Sequence, residues 1–184
     1  MKLFFGNKFL VFFLLLTTIV FGQQSYLDTF SSVSYSENDG TQNWSSNWVE
    51  TNENGDPSTG RIRILGNRLR LQRLTTNRSL HRSIDLSGYA SAILTLDYQT
   101  TNLAPGDRLY IQVSSNGGST FSTLDYISGT ESYSYSKDIS AYISANTIVR
   151  FTNTGSQWPA NNNRAFIDNL NLFSLITLSK SLSA

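Results

Sequence analysis

Two carboxylates with apolar neighbours at alternate positions offer the clearest chemistry in the sequence. Asp168 lies in Phe166-Ile167-Asp168-Asn169-Leu170-Asn171-Leu172-Phe173, where period-two counting groups Phe166, Asp168, Leu170 and Leu172 on one side of a strand. Tyr26, Asp28 and Phe30 share the same parity near the other end. A charge on an apolar face must be paired, hydrogen-bonded or metal-bound, because burying it alone is very costly. If the two strands pair, the carboxylates approach and repel unless a proton or cation intervenes. Calcium suits such a pair, since it takes roughly six to eight oxygen ligands. Glu37 and Asp39, in Ser36-Glu37-Asn38-Asp39-Gly40, complete the expected metal set of Asp28, Asp168, Glu37 and Asp39. The alternative is an arginine partner for Asp168, or backbone hydrogen bonds at a bulge.

Aromatic side chains among polar residues offer a second chemistry, since a ring can stack on a sugar while its neighbours bond the hydroxyls. Trp158 sits in Gly155-Ser156-Gln157-Trp158-Pro159-Ala160-Asn161-Asn162-Asn163, which reads as an exposed loop. Trp158 with Asn161, Asn162 and Asn163 is therefore the expected ligand-contact group, joined by Tyr133 and Tyr135 near a sandwich end. The competing role for these aromatics is a hydrophobic plug. Trp44 and Trp48, four apart, can share one face, but large aromatics more often fill the core. Seven arginines fall between Arg61 and Arg82. Arg61, Arg63, Arg68 and Arg70 are expected on the outward face of one hairpin, where like charges oppose each other. Either Glu50, Glu53 and Asp85 compensate them, or an acidic or sulfated polysaccharide does.

Catalytic constellations are weak by comparison. There is no cysteine, and His81 is the only histidine, so a thiol nucleophile and the usual zinc sites find no support. No nucleophile-elbow sequence accompanies His81, and paired glutamates of glycosidase type are not evident. The expectation is a protein without catalysis.

The elements that must position these residues are short strands. Arg61-Ile62-Arg63-Ile64 and Arg68-Leu69-Arg70-Leu71 alternate around Leu65-Gly66-Asn67, a tight hairpin turn. Leu94, Leu96 and Tyr98 share a face, as do Leu109, Ile111 and Val113. Further strands are expected near 26–30, 44–50, 79–86, 121–127, 147–152 and 165–173, with a helical turn or connector at 138–143. This spacing predicts an all-β fold, an antiparallel β-sandwich or jelly roll. Lys2 and Lys8 followed by the apolar run 9–21 read as a removable secretory signal over 1–22, too short to span a bilayer. That leaves one sandwich module over 23–174 and a tail or linker over 175–184. The mature part has a net charge near −1, which argues against a general nucleic-acid binder.

Five segments in order resemble a known module. They are residues 40–50, Arg82-Ser83-Ile84-Asp85-Leu86-Ser87-Gly88, Val113-Ser114-Ser115-Asn116-Gly117-Gly118-Ser119, Asp138-Ile139-Ser140-Ala141-Tyr142-Ile143 and Phe166-Ile167-Asp168-Asn169-Leu170. Together they resemble the MAM-like and galactose-binding-like jelly rolls of secreted bacterial surface proteins. The resemblance implies a non-catalytic module for adhesion or carbohydrate binding, secreted or at the cell surface. Its partner would be a glycan or cell-surface polysaccharide, sometimes with structural calcium. A purely structural spacer and a glycoside hydrolase are the alternatives.

Overall fold

A computed structural model describes residues 23–75, 77–104, 106–153, 158 and 160–176. The expected signal segment lies outside the described residues. Eleven strands are described: β1 (Gln23–Asp28), β2 (Val49–Thr51), β3 (Ile62–Ile64), β4 (Leu69–Gln72), β5 (Ser79–Ile84), β6 (Tyr89–Thr101), β7 (Leu109–Ser114), β8 (Ser122–Ile127), β9 (Ser132–Asp138), β10 (Thr147–Thr152) and β11 (Arg164–Ile176). A 3-10 turn, Ser140–Tyr142, lies between β9 and β10. β11 runs two residues into the tail expected from 175, and the rest of that tail is outside the described residues.

The strands form two antiparallel sheets, as the alternation predicts. One has the order β3-β4-β11-β6-β9, with β1 also paired to β11; the other is β2-β5-β10-β7-β8. The first and last strands are neighbours, with Tyr26 opposite Leu172 and Asp28 opposite Leu170. β4 and β1 lie end to end along one edge of β11, while β6 covers the other edge. Between the sheets, Ile62, Leu69, Leu71, Leu94, Leu96, Ile167 and Leu172 meet Leu80, Ile84, Leu109, Ile111, Val149 and Phe151 in one buried core. The β3–β4 turn is the expected one. Gly66 and Asn67 both have positive φ, 62° and 56°, and the Leu65 N–H donates to the Arg68 carbonyl at 2.9 Å.

Two local departures decide which side chains face outward. β2 is only three residues long, so Trp44 and Trp48 enter the core from the coil before it rather than from a strand. In β11 the register to β6 slips between Asp168 and Asn171, and Asn169 takes a φ of 47°. This bulge inserts an extra residue and reverses the parity beyond it. Ala165 and Ile167 point inward before the bulge, Leu170 and Leu172 after it. Phe166 and Asp168 therefore face outward, not onto the apolar side that simple alternation assigns them.

Candidate functional site

The two carboxylates expected to share an ion lie on opposite faces of the sheet. Asp28 is wholly buried between the sheets, where β1 faces β5. Its Oδ2 accepts from an Arg82 guanidinium N–H and from Trp48 Nε1, both at 2.7 Å, and its Oδ1 accepts from the Phe30 N–H at 2.9 Å. Arg82 is also fully buried, donates Nε–H to the Ser46 carbonyl at 2.8 Å, and lies against the Trp44 and Trp48 rings. Burial pushes the Asp28 carboxyl up, opposed by the bonds from Trp48 and Phe30 and by the Arg82 charge. Burial also pushes Arg82 down, to about 10, against the pull of Asp28. The apolar-face carboxylate thus has an arginine as its counterion, and the arginine comes from the facing sheet.

The other expected metal ligands are engaged separately. Asp39 accepts from the Thr29 N–H and hydroxyl at 2.8 and 2.7 Å, and Glu37 accepts from the Ser32 hydroxyl at 2.6 Å. Asp168 lies on the outer face and accepts from the Asn169 N–H at 2.8 Å. Among the described residues, no group of three or more His, Asp or Glu side chains is placed to hold a metal ion. The geometry corrects the grouping of Asp28 with Asp168, because the bulge turns Asp168 away.

The expected Trp158 platform is also corrected. Trp158 has 0 % of its surface exposed, and its N–H donates to the Leu74 carbonyl at 2.9 Å. A polar loop can fold an aromatic back as a plug, and here burying the indole outweighs leaving its Nε1 without a partner. Asn163 is buried too, donating to Asp107 at 2.5 Å, whereas Asn161 and Asn162 are exposed. Trp44 and Trp48 pack in the core against Tyr26, Phe30 and Phe151.

The outer face of the larger sheet carries a groove instead, built from outward-facing side chains and from the backbone of the strands between them. It has a volume of about 510 Å³ and is lined by Arg68, Asp97, Tyr98, Gln99, Ser132, Tyr133, Ser134, Phe166 and Asp168. Sheet register lays these out in rows. Phe166 stands opposite Gln99 and Gln99 opposite Ser132; Asp168 stands opposite Asp97 and Asp97 opposite Ser134. A second groove of about 360 Å³ shares Asp97 and Ser134 and continues along Thr95, Ser136, Asn171 and Phe173. From Phe166 to Phe173 the run is about 20 Å long, at the usual strand rise. Tyr133 and Tyr135, expected as ligand residues, border the two grooves through their strand. They stand opposite Tyr98 and Leu96, however, so register turns their rings to the core-side face and the expectation is corrected.

The groove offers one aromatic plate and several fixed polar groups. Arg68 lies 4.3 Å from the Phe166 ring centroid and donates to Gln99 Oε1 at 2.8 Å, so phenyl and guanidinium are stacked and tethered. Tyr133, 62 % exposed, is not part of this plate: its ring pairs with that of Tyr98, 6.1 Å away, on the other face of the sheet. Asp97 accepts from the Ser134 hydroxyl at 2.6 Å and from Asn169 Nδ2 at 2.9 Å, and these bonds hold its carboxyl below the usual range. Partial burial pushes Asp168 up, and the Asp97 charge adds to this, while the Asn169 N–H and Arg68 oppose it. A flat ring beside oriented acceptors and donors suits a ligand bearing both apolar faces and hydroxyls.

Sequence reasoning missed Arg68, Asp97, Gln99, Ser134 and Phe166 as site residues. Asp97 and Gln99 were legible as the polar alternates of Leu94, Leu96 and Tyr98. Phe166 was not, because only the bulge turns it outward.

Two facing antiparallel sheets around one core, with a groove on an outer face, define a β-sandwich module. Solved structures similar to it are family 29 carbohydrate-binding modules. One matches with a TM-score of 0.53 at 13 % identity over 84 % of this chain and 87 % of its own. Another matches with a TM-score of 0.52 at 12 % identity, covering 83 % and 89 %. A third, a variant complexed with cellulohexaose, matches at 0.51 and 13 %, covering 82 % and 92 %. At such identity the likeness is one of fold, and it meets the jelly-roll resemblance at the level of the sandwich. No protein-family model matches the chain, and neither does any curated protein. Among the described residues, no helix is long and apolar enough to cross a membrane.

Proposed function

We propose that this protein is an exported, non-catalytic module that binds a polysaccharide along the outer face of its larger sheet. The observation that carries the reading is the groove itself. The Arg68–Phe166 stack lies beside Gln99 and Asp97, whose polar groups are held in place by sheet register and by bonds from Arg68 and Ser134. A groove extended along the strands suits a linear chain of sugars better than a compact molecule. The fold likeness supports this, since one similar structure is a module with cellulohexaose bound. Adhesion at a cell surface is the physiological role such binding would serve. His81 supports the non-catalytic reading: it lies on the other sheet, opposite Arg150 in β10, and burial pushes its imidazole down.

The test is retention of the purified protein in gels carrying a panel of neutral and acidic polysaccharides, with reducing-sugar release measured in parallel. Retention by at least one glycan, its loss in Phe166→Ala and Asp97→Ala, and no sugar release are expected. No retention across the panel would overturn the reading and leave a spacer role. Sugar release abolished by Asp97→Ala would make the groove an active site.

A further inference from the structure

The outer face holds three neighbouring guanidinium groups that have no ion-pair partner among the described residues. Arg63 on β3 stands directly opposite Arg70 on β4, Arg70 stands opposite Phe166 on β11, and Arg164 lies two residues before Phe166 on the same face. Arg70 is only 6 % exposed, and Arg63 and Arg164 are half-buried. The Nε atoms of all three are buried without a hydrogen-bond partner. Like charges opposite one another on adjacent strands are destabilising, and a buried unpaired donor costs more. Burial, then the Arg63 and Arg164 charges, push the Arg70 guanidinium down to about 10.

The acidic side chains that the sequence offers as partners are committed elsewhere. Glu53 pairs with Arg78. Glu50 accepts from the Tyr35 hydroxyl and the Gly55 N–H, and Asp85 accepts from Ser87. Among the described residues, the ion pairs are those of Arg78 with Glu53 and Arg82 with Asp28, so none reaches the three arginines. Their neighbours behave differently: the Arg61 guanidinium donates to the Arg73 carbonyl and that of Arg68 donates to Gln99. Tolerated repulsion beside a groove points to a ligand that relieves it.

We propose that Arg63, Arg70 and Arg164 form an anion subsite at the Phe166 end of the groove, so that the polysaccharide bound is acidic. The group recognised is a carboxylate of a uronate residue or a sulfate ester, either of which matches the forked donors of arginine. This inference rests on the glycan-binding reading and names its ligand class. Phe166, with Arg68 on it, would carry the ring bearing or adjoining that anionic group.

The experiment measures affinity for polygalacturonate, dextran sulfate and neutral glucomannan in wild type and in an Arg70→Gln/Arg164→Gln variant. Wild type should bind one or both acidic polymers, more weakly as salt rises, and the responsive polymer tells carboxylate from sulfate. The variant should lose affinity for it by about tenfold or more, the worth of one or two charge-assisted hydrogen bonds. Any neutral-glycan affinity that wild type shows should remain. Equal loss of acidic and neutral binding would overturn the anion subsite, as would undiminished acidic binding in the variant. Neutral binding without acidic binding would overturn it while the groove reading stands; no binding to any polymer would overturn both. As a measurement independent of the variant's folding, trigalacturonate or a sulfated oligosaccharide should raise the wild-type melting temperature. A melting temperature unmoved by either would count against the subsite.

Discussion

Replacing Arg82 with methionine tests how the two sheets are held together. The substitution keeps most of the side-chain volume but removes the cation paired with Asp28 Oδ2. It also orphans the Ser46 carbonyl and leaves Asp28 with two donors, Trp48 Nε1 and the Phe30 N–H. Breaking a buried pair from one side costs about 3–5 kcal/mol. With a urea slope of about 2 kcal/mol/M, the unfolding midpoint should fall by roughly 1.5–2.5 M. The loss should depend on pH in a defined direction. Without Arg82, the Asp28 carboxyl is pushed further above its unfolded value of about 3.9, so the folded state holds a proton that the unfolded state releases. Folded protein then binds more protons than unfolded, and stability falls as pH rises through that window. The variant should therefore recover part of its midpoint on going from about pH 8 to about pH 5, relative to wild type. A second variant, Asp28→Asn/Arg82→Met, should be less damaged than the sum of the single changes, because no lone charge is left. Urea titrations at the two pH values decide it. A midpoint drop below about 0.5 M, or one indifferent to pH, would refute the claim that this pair is buried and mutually neutralising.

Two further outcomes follow from the positions of the expected site residues. Trp158→Ala should cost about 3–5 kcal/mol by emptying a filled core position, measured by thermal or urea unfolding, yet leave glycan affinity per folded molecule unchanged. Because Asp28 is neutralised by Arg82 and Asp168 faces the other way, treatment with a chelator should leave the melting temperature where it was. A drop of several degrees would mean that an ion contributes to stability after all.

The architecture was legible because burial imposes a period of two on every strand. Leu94, Leu96 and Tyr98 reveal their sheet face by themselves, and Gly66-Asn67 reveals its turn by the φ angles those residues tolerate. What failed was parity across an irregularity. In Asp168-Asn169-Leu170 nothing but the permissive asparagine marks a bulge, yet that one inserted residue moves Phe166 and Asp168 from the core to the groove. β9 was missed for a related reason. Its serines and tyrosines do alternate, but they form an edge strand that is largely exposed and carries no aliphatic residue to mark a buried face. Trp158 misled because the polarity of a loop describes its neighbours, not the direction of one ring.

The same sheet treats charge in two opposite ways, and the contrast locates its function. On the inner face one carboxylate meets one arginine from the facing sheet, with every oxygen and most N–H groups satisfied, which is how a fold makes a buried charge tolerable. On the outer face, Arg63, Arg70 and Arg164 are left crowded and unanswered, while acids nearby in sequence are committed to turns and hydroxyls. Stability alone favours replacing any of the three with a neutral residue, since each removal relieves repulsion. Their presence beside a tethered Arg68–Phe166 stack is accounted for when the counterion arrives with the ligand. On that argument the bulge in β11 is the decisive local feature, because it brings Phe166 and Asp168 onto the face where the arginines stand.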